Sequence, residues 1–289
     1  IIIGGGAAGL MAAAGAAQTL GNAGRVIILE KMARPGRKII ITGKGRCNFT
    51  NLKAWNEFSA HIHPKPNFLK PSFYNLTSEK MIDFLVSLKY NEFQLYMEGD
   101  CFKYAAYPKE TADFDCLTPE DIVELDAYCK ARFIDLVPNQ NSFGHMYTWL
   151  RKPDFHHLGL FEREDEVPST LNPLLPESFE FVCNLYKSLL PHFTSEYVNI
   201  GLDEAYGLGR YQIEEYCKQK GKDVVFMEWL NKLNDHIAST YGKRVMFWAD
   251  MIYNYPQSYH MVPKDAIALE WGYELIQSQR MTDHCIAYK

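Results

Sequence analysis

The sequence predicts an α/β protein made of two unlike parts: a short βαβ unit and, after it, an incomplete (β/α)8 barrel of about five strands. Two patterns indicate this fold. A glycine-rich turn follows the first apolar residues directly, which is typical of a strand that leads into a helix. Further along, apolar runs of strand length alternate with helical patterns, which favours a parallel sheet covered by helices. We therefore predict one part over residues 1–88 and the other over residues 89–289.

Composition and charge narrow the classes of function. The 289 residues carry a net charge of −5 and no long basic run, so nucleic acid and anionic membranes are poor candidates as partners. No apolar stretch approaches the ~18 residues of a membrane span, and no basic-then-apolar signal peptide opens the chain. The seven scattered cysteines favour reduced thiols and a cytoplasmic location. Histidines and cysteines do not occur at metal-ligand spacing, so we predict no metal site.

The amino-terminal segment has the pattern of a nucleotide-binding turn. The apolar residues 1–3 are predicted to form a strand, and Gly4, Gly6 and Gly9 follow it. Gly4 permits a tight turn, Gly6 lets the backbone approach a pyrophosphate, and Gly9 lets the helix pack on the strand. The alternative is a purely structural glycine turn, because such glycine motifs are common on their own.

The residues after this turn favour the nucleotide-binding interpretation. An alanine-rich helix is predicted to about Leu20, followed by a second strand over residues 25–29 that ends at Glu30. An acidic side chain at this position binds a ribose hydroxyl in dinucleotide-binding units. The order strand, turn, helix, strand and acid is therefore a stronger signal than the glycines alone.

Four segments, "GGGAAGLMAA", "LEK", "RPGRKIIITGKGRCNFTN" and "FLKPSFYNLTSEKMIDF", together resemble the bacterial FAD-dependent flavoproteins of the aminoacetone-oxidase-like family. The resemblance covers roughly residues 1–88 and implies a Rossmann-like FAD-binding unit. The pattern stops before the segments that complete a flavin site, so we expect FAD not to be retained. The residues that it implies around the cofactor are Gly4, Gly6, Ala8, Gly9, Glu30 and Arg37.

The second part alternates strands and helices. A helix is predicted over residues 118–132, where Thr118 caps it and Pro119 lies in the first turn. Further helical stretches lie near residues 178–190 and 208–240. The predicted strands cover residues 92–98, 133–138, 197–200, 244–248 and 267–269.

Polar and aromatic side chains occur where each predicted strand ends. The carboxyl ends of the strands form the catalytic face of a (β/α) barrel, so this arrangement predicts a site there. The residues concerned are Glu98, Gln140, Asp203, Glu204, Trp248, Asp250, Glu270 and Trp271.

Asp203 and Glu204 are the strongest catalytic candidates, since they end a buried strand and precede a glycine-rich turn. Asp165 and Glu166, by contrast, lie in the charge run "EREDE", which we interpret as solvated surface. The alternative is that Asp203 and Glu204 cap the following helix. An inverting glycosidase needs carboxyl groups about 6.5–9.5 Å apart, and an ordinary retaining one needs them across the scissile bond. Adjacent acids instead fit substrate assistance, in which one acid protonates the leaving oxygen and the other orients a nucleophile of the substrate.

The segments "NIGLDEA", "LTPEDIVELDAYCKARFIDLVPNQNSFGHM" and "DEAYGLGR" resemble glycoside hydrolase family 20, the β-N-acetylhexosaminidases, and lean towards its hexosaminidase D branch. The resemblance covers about residues 89–280. It implies a TIM barrel that needs no cofactor and acts on glycans with a terminal N-acetylglucosamine or N-acetylgalactosamine. It also implies Glu204 as general acid/base and Asp203 as the residue that orients the 2-acetamido group.

Four further residues are candidates for contact with the substrate. The family resemblance implies His145 near the site, Trp248 as a wall of the acetamido pocket and Trp271 as a further contact. Asp250 is the nearest rival carboxylate at a strand end, and it is the candidate nucleophile if the substrate does not supply one.

Three hypotheses about the whole chain stay open. The chain is derived from a glycosidase, it is a flavin-binding oxidoreductase, or it is a chimera in which neither activity is intact. The two patterns join near residues 81–93. The glycosidase pattern lacks the first barrel strand, where the family has a sugar-binding arginine, and it stops before strands seven and eight, which add a tyrosine and a tryptophan.

Overall fold

The computed structural model describes residues 1–3, 7–31, 78–98, 102–111, 116–253, 255–272 and 277–287. By its internal contacts the chain divides into two compact units, Ile1–Lys80 and Met81–Lys289. This division falls near the start of the helix Ser78–Ser87. The boundary that we place between residues 88 and 89 from the sequence lies directly after the same helix.

The first unit has the predicted order of strand, helix and strand. Strand β1 (Ile2–Ile3) pairs in parallel with β2 (Ile28–Leu29), and helix α1 (Ala7–Leu20) lies between them in the chain. Both strands are shorter than the predicted residues 1–3 and 25–29. Gly4, Gly6 and Arg37 lie outside the described residues.

The second unit contains one sheet of five parallel strands in the order of the chain, as the sequence predicts. Each strand lies beside the next one in sequence, which is the arrangement of consecutive (β/α) units in a barrel wall. Among the described residues, the first strand of this sheet pairs only with the second and the last only with the fourth. The strands are β3 (Glu92–Met97), β4 (Asp135–Gln140), β5 (Tyr197–Asn199), β6 (Arg244–Trp248) and β7 (Ile267–Leu269).

Helices separate these strands along the chain. The helical stretch predicted over residues 208–240 is two helices, because the chain turns at Gly221, whose φ of +99° favours glycine. The helices are α2 (Ser78–Ser87), α3 (Pro119–Lys130), α4 (Tyr147–Leu150), α5 (Pro153–His156), α6 (Pro176–Leu189), α7 (Glu214–Lys220), α8 (Lys222–Tyr241) and α9 (Ser278–Ala287).

Helix α3 begins and packs as its sequence predicts. The Thr118 hydroxyl accepts a hydrogen bond from the N–H of Asp121, and the Asp121 carboxylate accepts one from the N–H of Thr118. Pro119 occupies the first turn, where its missing N–H costs nothing. Ile122 and Cys129 are fully buried on the inner face of the helix. The end of this helix is hydrogen-bonded to the residue before β4, because the Ile134 N–H donates to the carbonyl of Cys129 at 3.0 Å.

Strand β4 is displaced from its predicted bounds. It begins at Asp135 rather than at residue 133 and continues to Gln140. Phe133 adopts a φ of +59° and is 91% exposed, so it belongs to the turn after α3. Only Ile134 of this apolar pair enters the core, at 2% exposure. The predicted strand began too early because Phe133, an apolar residue of the turn, was assigned to the strand.

The core of the second unit lies between the sheet and its helices. Val137, Val198 and Phe247, on the three central strands, are completely buried. Leu185 of α6 and Leu230 of α8 are equally buried and belong to the same cluster. No helix in the described part of the chain is long and apolar enough to cross a membrane.

Candidate active site

The carboxyl ends of four strands bring five of the predicted residues together. His145 lies on the loop after β4, Asp203 and Glu204 follow β5, Asp250 follows β6, and Trp271 follows β7. Because the strands are parallel, these ends share one edge of the sheet. Contacts between side chains and backbone link all five residues.

His145 lies between the two adjacent acids. Its Nε2 atom is 3.1 Å from Oδ2 of Asp203 and 3.2 Å from Oε2 of Glu204. Its Nδ1 atom is 3.6 Å from Oε1 of Glu98, at the end of β3. A proton on Nε2 can be donated to either acid, so the histidine gathers both carboxyl groups around one ring nitrogen.

The two acids differ in exposure. The side chain of Asp203 is 14% exposed, whereas that of Glu204 is 33% exposed. Oδ1 of Asp203 is buried and has no hydrogen-bond donor among the described residues. A buried carboxylate oxygen without a donor is costly, so a ligand that offers an N–H or O–H to this atom would be favoured.

The backbone around the acids is strained. Leu202 has a φ of +77°, Glu204 a φ of +48°, and His145 a φ of +58°. A non-glycine residue in this left-handed region costs on the order of 1 kcal/mol or more. Such strain persists only where surrounding contacts hold it, and it concentrates at functional sites. Half of the six non-glycine residues with positive φ in the described part of the chain lie here.

Asp250 contacts the backbone of the acid pair. Its Oδ2 atom accepts a hydrogen bond of 3.1 Å from the N–H of Glu204. Burial raises the pKa of Asp250 to about 6, and the nearby carboxylate of Asp203 adds to the rise. The hydrogen bond from the Glu204 amide and the nearby indole of Trp271 act in the opposite direction. Trp271, which the family resemblance implies at the substrate, therefore also contacts Asp250.

A polar network below the acids was not predicted from the sequence. The side chain of Asn199 accepts a hydrogen bond from the N–H of Gly201 and donates one to Gln94, each at 2.9 Å. The Asn141 amide donates to the hydroxyl of Tyr96 at 3.0 Å. The sequence feature that could have predicted this network is the position of the two asparagines. Asn199 lies in an apolar strand and Asn141 directly follows one, and a buried polar side chain there needs a hydrogen-bond partner.

Tyr206 was also missed. It lies two positions after Glu204, is 62% exposed, and forms a side-chain hydrogen bond with the Glu204 carboxylate. Desolvation of the hydroxyl, together with that hydrogen bond, raises the pKa of Tyr206 to about 12. The tyrosine therefore stays protonated and can remain a donor to Glu204 across the physiological range.

The contacts above do not involve Trp248, and the other predicted residues belong to the first unit. Trp248 is the last residue of β6 and is half-buried, and its backbone N–H donates to the carbonyl of Gly201 at 2.9 Å. Its role as a pocket wall stays a prediction. Ala8 and Gly9 lie in the first turn of α1, and Glu30 directly follows β2 in the first unit. This strand–helix–strand order fits a dinucleotide, whose pyrophosphate would face the start of α1 and whose ribose would face Glu30.

No group of three or more histidine, cysteine, aspartate or glutamate side chains that could hold a metal ion occurs in the described ranges.

The fold and the site together define a class: an α/β protein of the (β/α)-barrel type with an aspartate–glutamate pair at a strand end. Residues 72–285 match the family described as glycosyl hydrolase family 20, catalytic domain. That match covers more than half of the chain, and the chain belongs to glycosyl hydrolase family 20. The resemblance stated from the sequence is confirmed.

Individual relatives agree with the family. The chain is 24% identical to hexosaminidase D of Bos taurus over 182 residues, which is 60% of this chain and 52% of that protein. The solved β-N-acetylhexosaminidase of Bacteroides fragilis matches with a TM-score of 0.58 and 19% identity, over 72% of this chain and 44% of that chain. The exo-β-N-acetylglucosaminidase of Vibrio harveyi, solved with N-acetylglucosamine, matches with a TM-score of 0.56 and 20% identity. The match covers 68% of this chain and 35% of that chain. At these identities the solved structures show the shared fold.

The amino-terminal part has different relatives. Residues 1–105 match the HI0933-like protein Rossmann domain. The chain is 44% identical to the ribosomal RNA dihydrouridine synthase of Escherichia coli over 84 residues, which is 29% of this chain and 20% of that protein. A Rossmann-like fragment before the barrel is thereby confirmed. The two family matches overlap over residues 72–105, which include α2 and β3. The chain spans about half the length, or less, of the relatives named here.

Proposed function

We propose that the second unit carries the site of a retaining β-N-acetylhexosaminidase, which removes terminal β-linked N-acetylhexosamine by substrate-assisted catalysis. The observation that carries the proposal is the Asp203–Glu204 pair around His145, with one buried oxygen of Asp203 lacking a donor among the described residues. In the proposed reaction, the N–H of the substrate's 2-acetamido group supplies that donor.

The difference in exposure between the two acids supports separate roles. Glu204, with the more exposed side chain, is the group that can reach the oxygen between sugar and leaving group. Asp203, with the more buried side chain, is suited to hold an amide N–H away from water. His145 and Tyr206 both contact Glu204 and can donate to its carboxylate when it is ionised.

The proposed reaction proceeds in two steps. The acetamido carbonyl oxygen forms a bond to the anomeric carbon while the glycosidic bond breaks, and Glu204 gives its proton to the leaving oxygen. The intermediate is an oxazolinium ion whose N–H is held by Asp203. Water then attacks the anomeric carbon, Glu204 takes the proton of that water, and the bond to the acetamido oxygen breaks. The anomeric configuration is retained because it inverts twice.

This mechanism needs no cofactor, because the substrate provides the nucleophile. We propose a terminal N-acetylglucosamine or N-acetylgalactosamine as the substrate group, since the relatives are hexosaminidases and one is solved with N-acetylglucosamine. The scattered cysteines support a cytoplasmic location for the protein.

A second candidate function is that of an FAD-dependent oxidoreductase. The Rossmann-domain match and the parallel βαβ arrangement favour it. FAD, when bound, would supply the redox chemistry, and Glu30 is the described residue that would hold its ribose. A chimera with neither activity intact is the remaining hypothesis.

Hydrolysis of two aryl glycosides tests the main proposal. We expect 4-nitrophenyl β-N-acetylglucosaminide to be cleaved and 4-nitrophenyl β-glucoside to be left intact, because the glucoside has no acetamido group. Similar rates on both would require an enzyme nucleophile and would contradict substrate assistance. No hydrolysis of either substrate would favour the chimera.

Two variants assign the roles. Glu204→Gln should lose about 10²–10⁴-fold in rate on a substrate with a poor leaving group, and less on the nitrophenyl glycoside. Asp203→Asn should slow both substrates alike, since it disturbs the nucleophile. Asp165→Asn and Glu166→Gln are the matched controls. The side chains of this adjacent pair of acids are 77% and 39% exposed, and both changes should leave the rate unchanged.

A further inference from the structure

We propose that Asp250 is a positioning residue that fixes the backbone of Glu204, and through it the direction of the general acid. It acts neither as a nucleophile nor as a sugar ligand. This role rests on the proposed function, in which Glu204 is the general acid.

The geometry at the Glu204 amide carries this inference. Glu204 has a φ of +48°, which a glutamate adopts only when neighbouring contacts hold it there. Its N–H donates to Oδ2 of Asp250 at 3.1 Å. A charge-assisted hydrogen bond of this kind is about twice as strong as a neutral one, so it can hold the strained turn. The side-chain direction of Glu204 follows from that backbone conformation.

The surroundings of Asp250 support the positioning role. Oδ2 accepts the hydrogen bond from the Glu204 amide, whereas Oδ1 is buried and has no donor among the described residues. The Trp271 indole, from the next strand end, lowers the pKa of the same carboxyl group. The Asp250 oxygen that has a described hydrogen-bond donor is therefore held by the backbone of Glu204.

The charge on Asp250 is set by its neighbours from several elements. Three of these neighbours follow β5. The Asp203 carboxylate raises the pKa of Asp250, and the Glu204 amide lowers it. The Tyr206 hydroxyl is near the same carboxylates, which raise its own pKa. His145 reaches both acids from the loop after β4, and Trp271 contacts Asp250 from the end of β7. Protonation of Asp250 weakens it as an acceptor, so the hydrogen bond to Glu204 should vary with pH.

Nuclear magnetic resonance of the Glu204 amide tests the inference without any activity. In protein labelled with ¹⁵N-glutamate, the resonance is assigned by its loss in Glu204→Gln. We expect it to move downfield as pH rises from 4.5 to 8, with a midpoint near pH 6. This movement should disappear in Asp250→Asn and persist in Glu270→Gln, a matched carboxylate at the next strand end. A flat resonance in the wild type, or an unchanged titration in Asp250→Asn, would overturn the proposal.

Kinetics provide a second readout. A positioning role predicts that Asp250→Ala lowers kcat by about 10²-fold with little change in KM, because a small displacement of a catalytic group is enough for such a loss. Asp250→Asn, which still offers an acceptor oxygen to the Glu204 amide, should recover part of the rate. A sugar ligand would instead raise KM, and a nucleophile would lose all activity in both variants, so either result contradicts the inference. If the wild type hydrolyses nothing, the proposed function fails while the amide titration still decides the role of Asp250.

Discussion

Gly144 lies so close to Asp203 that a Cβ atom built on the glycine would be 2.1 Å from the Asp203 carbonyl oxygen. The same Cβ would be 3.1 Å from the backbone N of Ala205. Real Cβ atoms do not approach backbone this closely, so position 144 has no room for a side chain. The loop that carries His145 and the turn that carries the acids therefore meet backbone to backbone, and this meeting sets the distance from the histidine to both carboxyl groups.

Gly144→Ala should therefore damage the site more than the fold. The added methyl group must push the two loops apart, and a displacement of about 1 Å at a catalytic group can cost 10²-fold in rate. We expect a loss of that order in hydrolysis of the aryl N-acetylglucosaminide, with the circular dichroism spectrum unchanged. Gly15→Ala is the control, because nothing lies within 4 Å of its Cβ position in helix α1. Full activity in Gly144→Ala would contradict the close approach.

His145→Gln should separate the two acids. The substitution removes the ring nitrogen that lies within hydrogen-bond distance of both carboxyl groups, which leaves the two acids without their shared partner. We expect a fall in kcat on the order of 10²-fold, measured with a poor leaving group. His157→Gln, a change of the same type at an exposed histidine, should have no effect. Equal rates for the two variants would show that His145 does not organise the pair.

The raised pKa of Asp250 predicts a stability effect with a definite sign. Because its pKa in the folded protein is about 6, above the ordinary 3.8, the ionised carboxylate destabilises the fold. The free energy of unfolding should fall as pH rises from about 4 to 6, and it should stay lowered above pH 6. Asp250→Asn should recover on the order of 3 kcal/mol at pH 7.5, seen as a higher apparent melting temperature, and nothing at pH 3.5.

Asp223 provides the opposite control. Burial opposes its charge, but hydrogen bonds from Ser258 and Gln257 hold the pKa of Asp223 below its ordinary value. Asp223→Asn should therefore lower the melting temperature at pH 7.5, and the loss should shrink as the pH falls through the folded pKa. Shifts of the same sign in both variants would contradict this assignment of charges.

Strands of continuous apolar sequence could be predicted closely, whereas turns that depend on contacts could not. Strands β6 and β7 have the predicted bounds, because uninterrupted apolar runs in the sequence define them. Phe133 misled the prediction of β4, since a left-handed turn holds this apolar side chain in solvent. The adjacency of Asp203 and Glu204 was visible in the sequence. The contacts of Gly144 with the turn at Asp203 could not be predicted from the sequence, because they join two loops that are far apart in the chain.

Binding of FAD by the first unit should be weak. Its strands leave apolar side chains in solvent, with Ile3 88% exposed and Leu29 53% exposed. In the described part of the unit, this sheet has two strands of two residues each, which offer little rigid surface to hold an isoalloxazine ring. We expect the purified chain to be colourless or to lose its flavin on desalting. A yellow preparation with about one FAD per chain after gel filtration would show that the unit binds its cofactor.

The edges of the five-stranded sheet predict association of the whole chain. Among the described residues, β3 pairs only with β4 and β7 only with β6, so each edge strand has one neighbouring strand there. Edge strands that lack a second neighbour pair readily with other chains, and a closed barrel has none. We expect the apparent mass in light scattering to rise with protein concentration, and thermal unfolding to be broad and irreversible. A monomer at all concentrations, with a sharp and reversible two-state transition, would show that these edges are covered in solution.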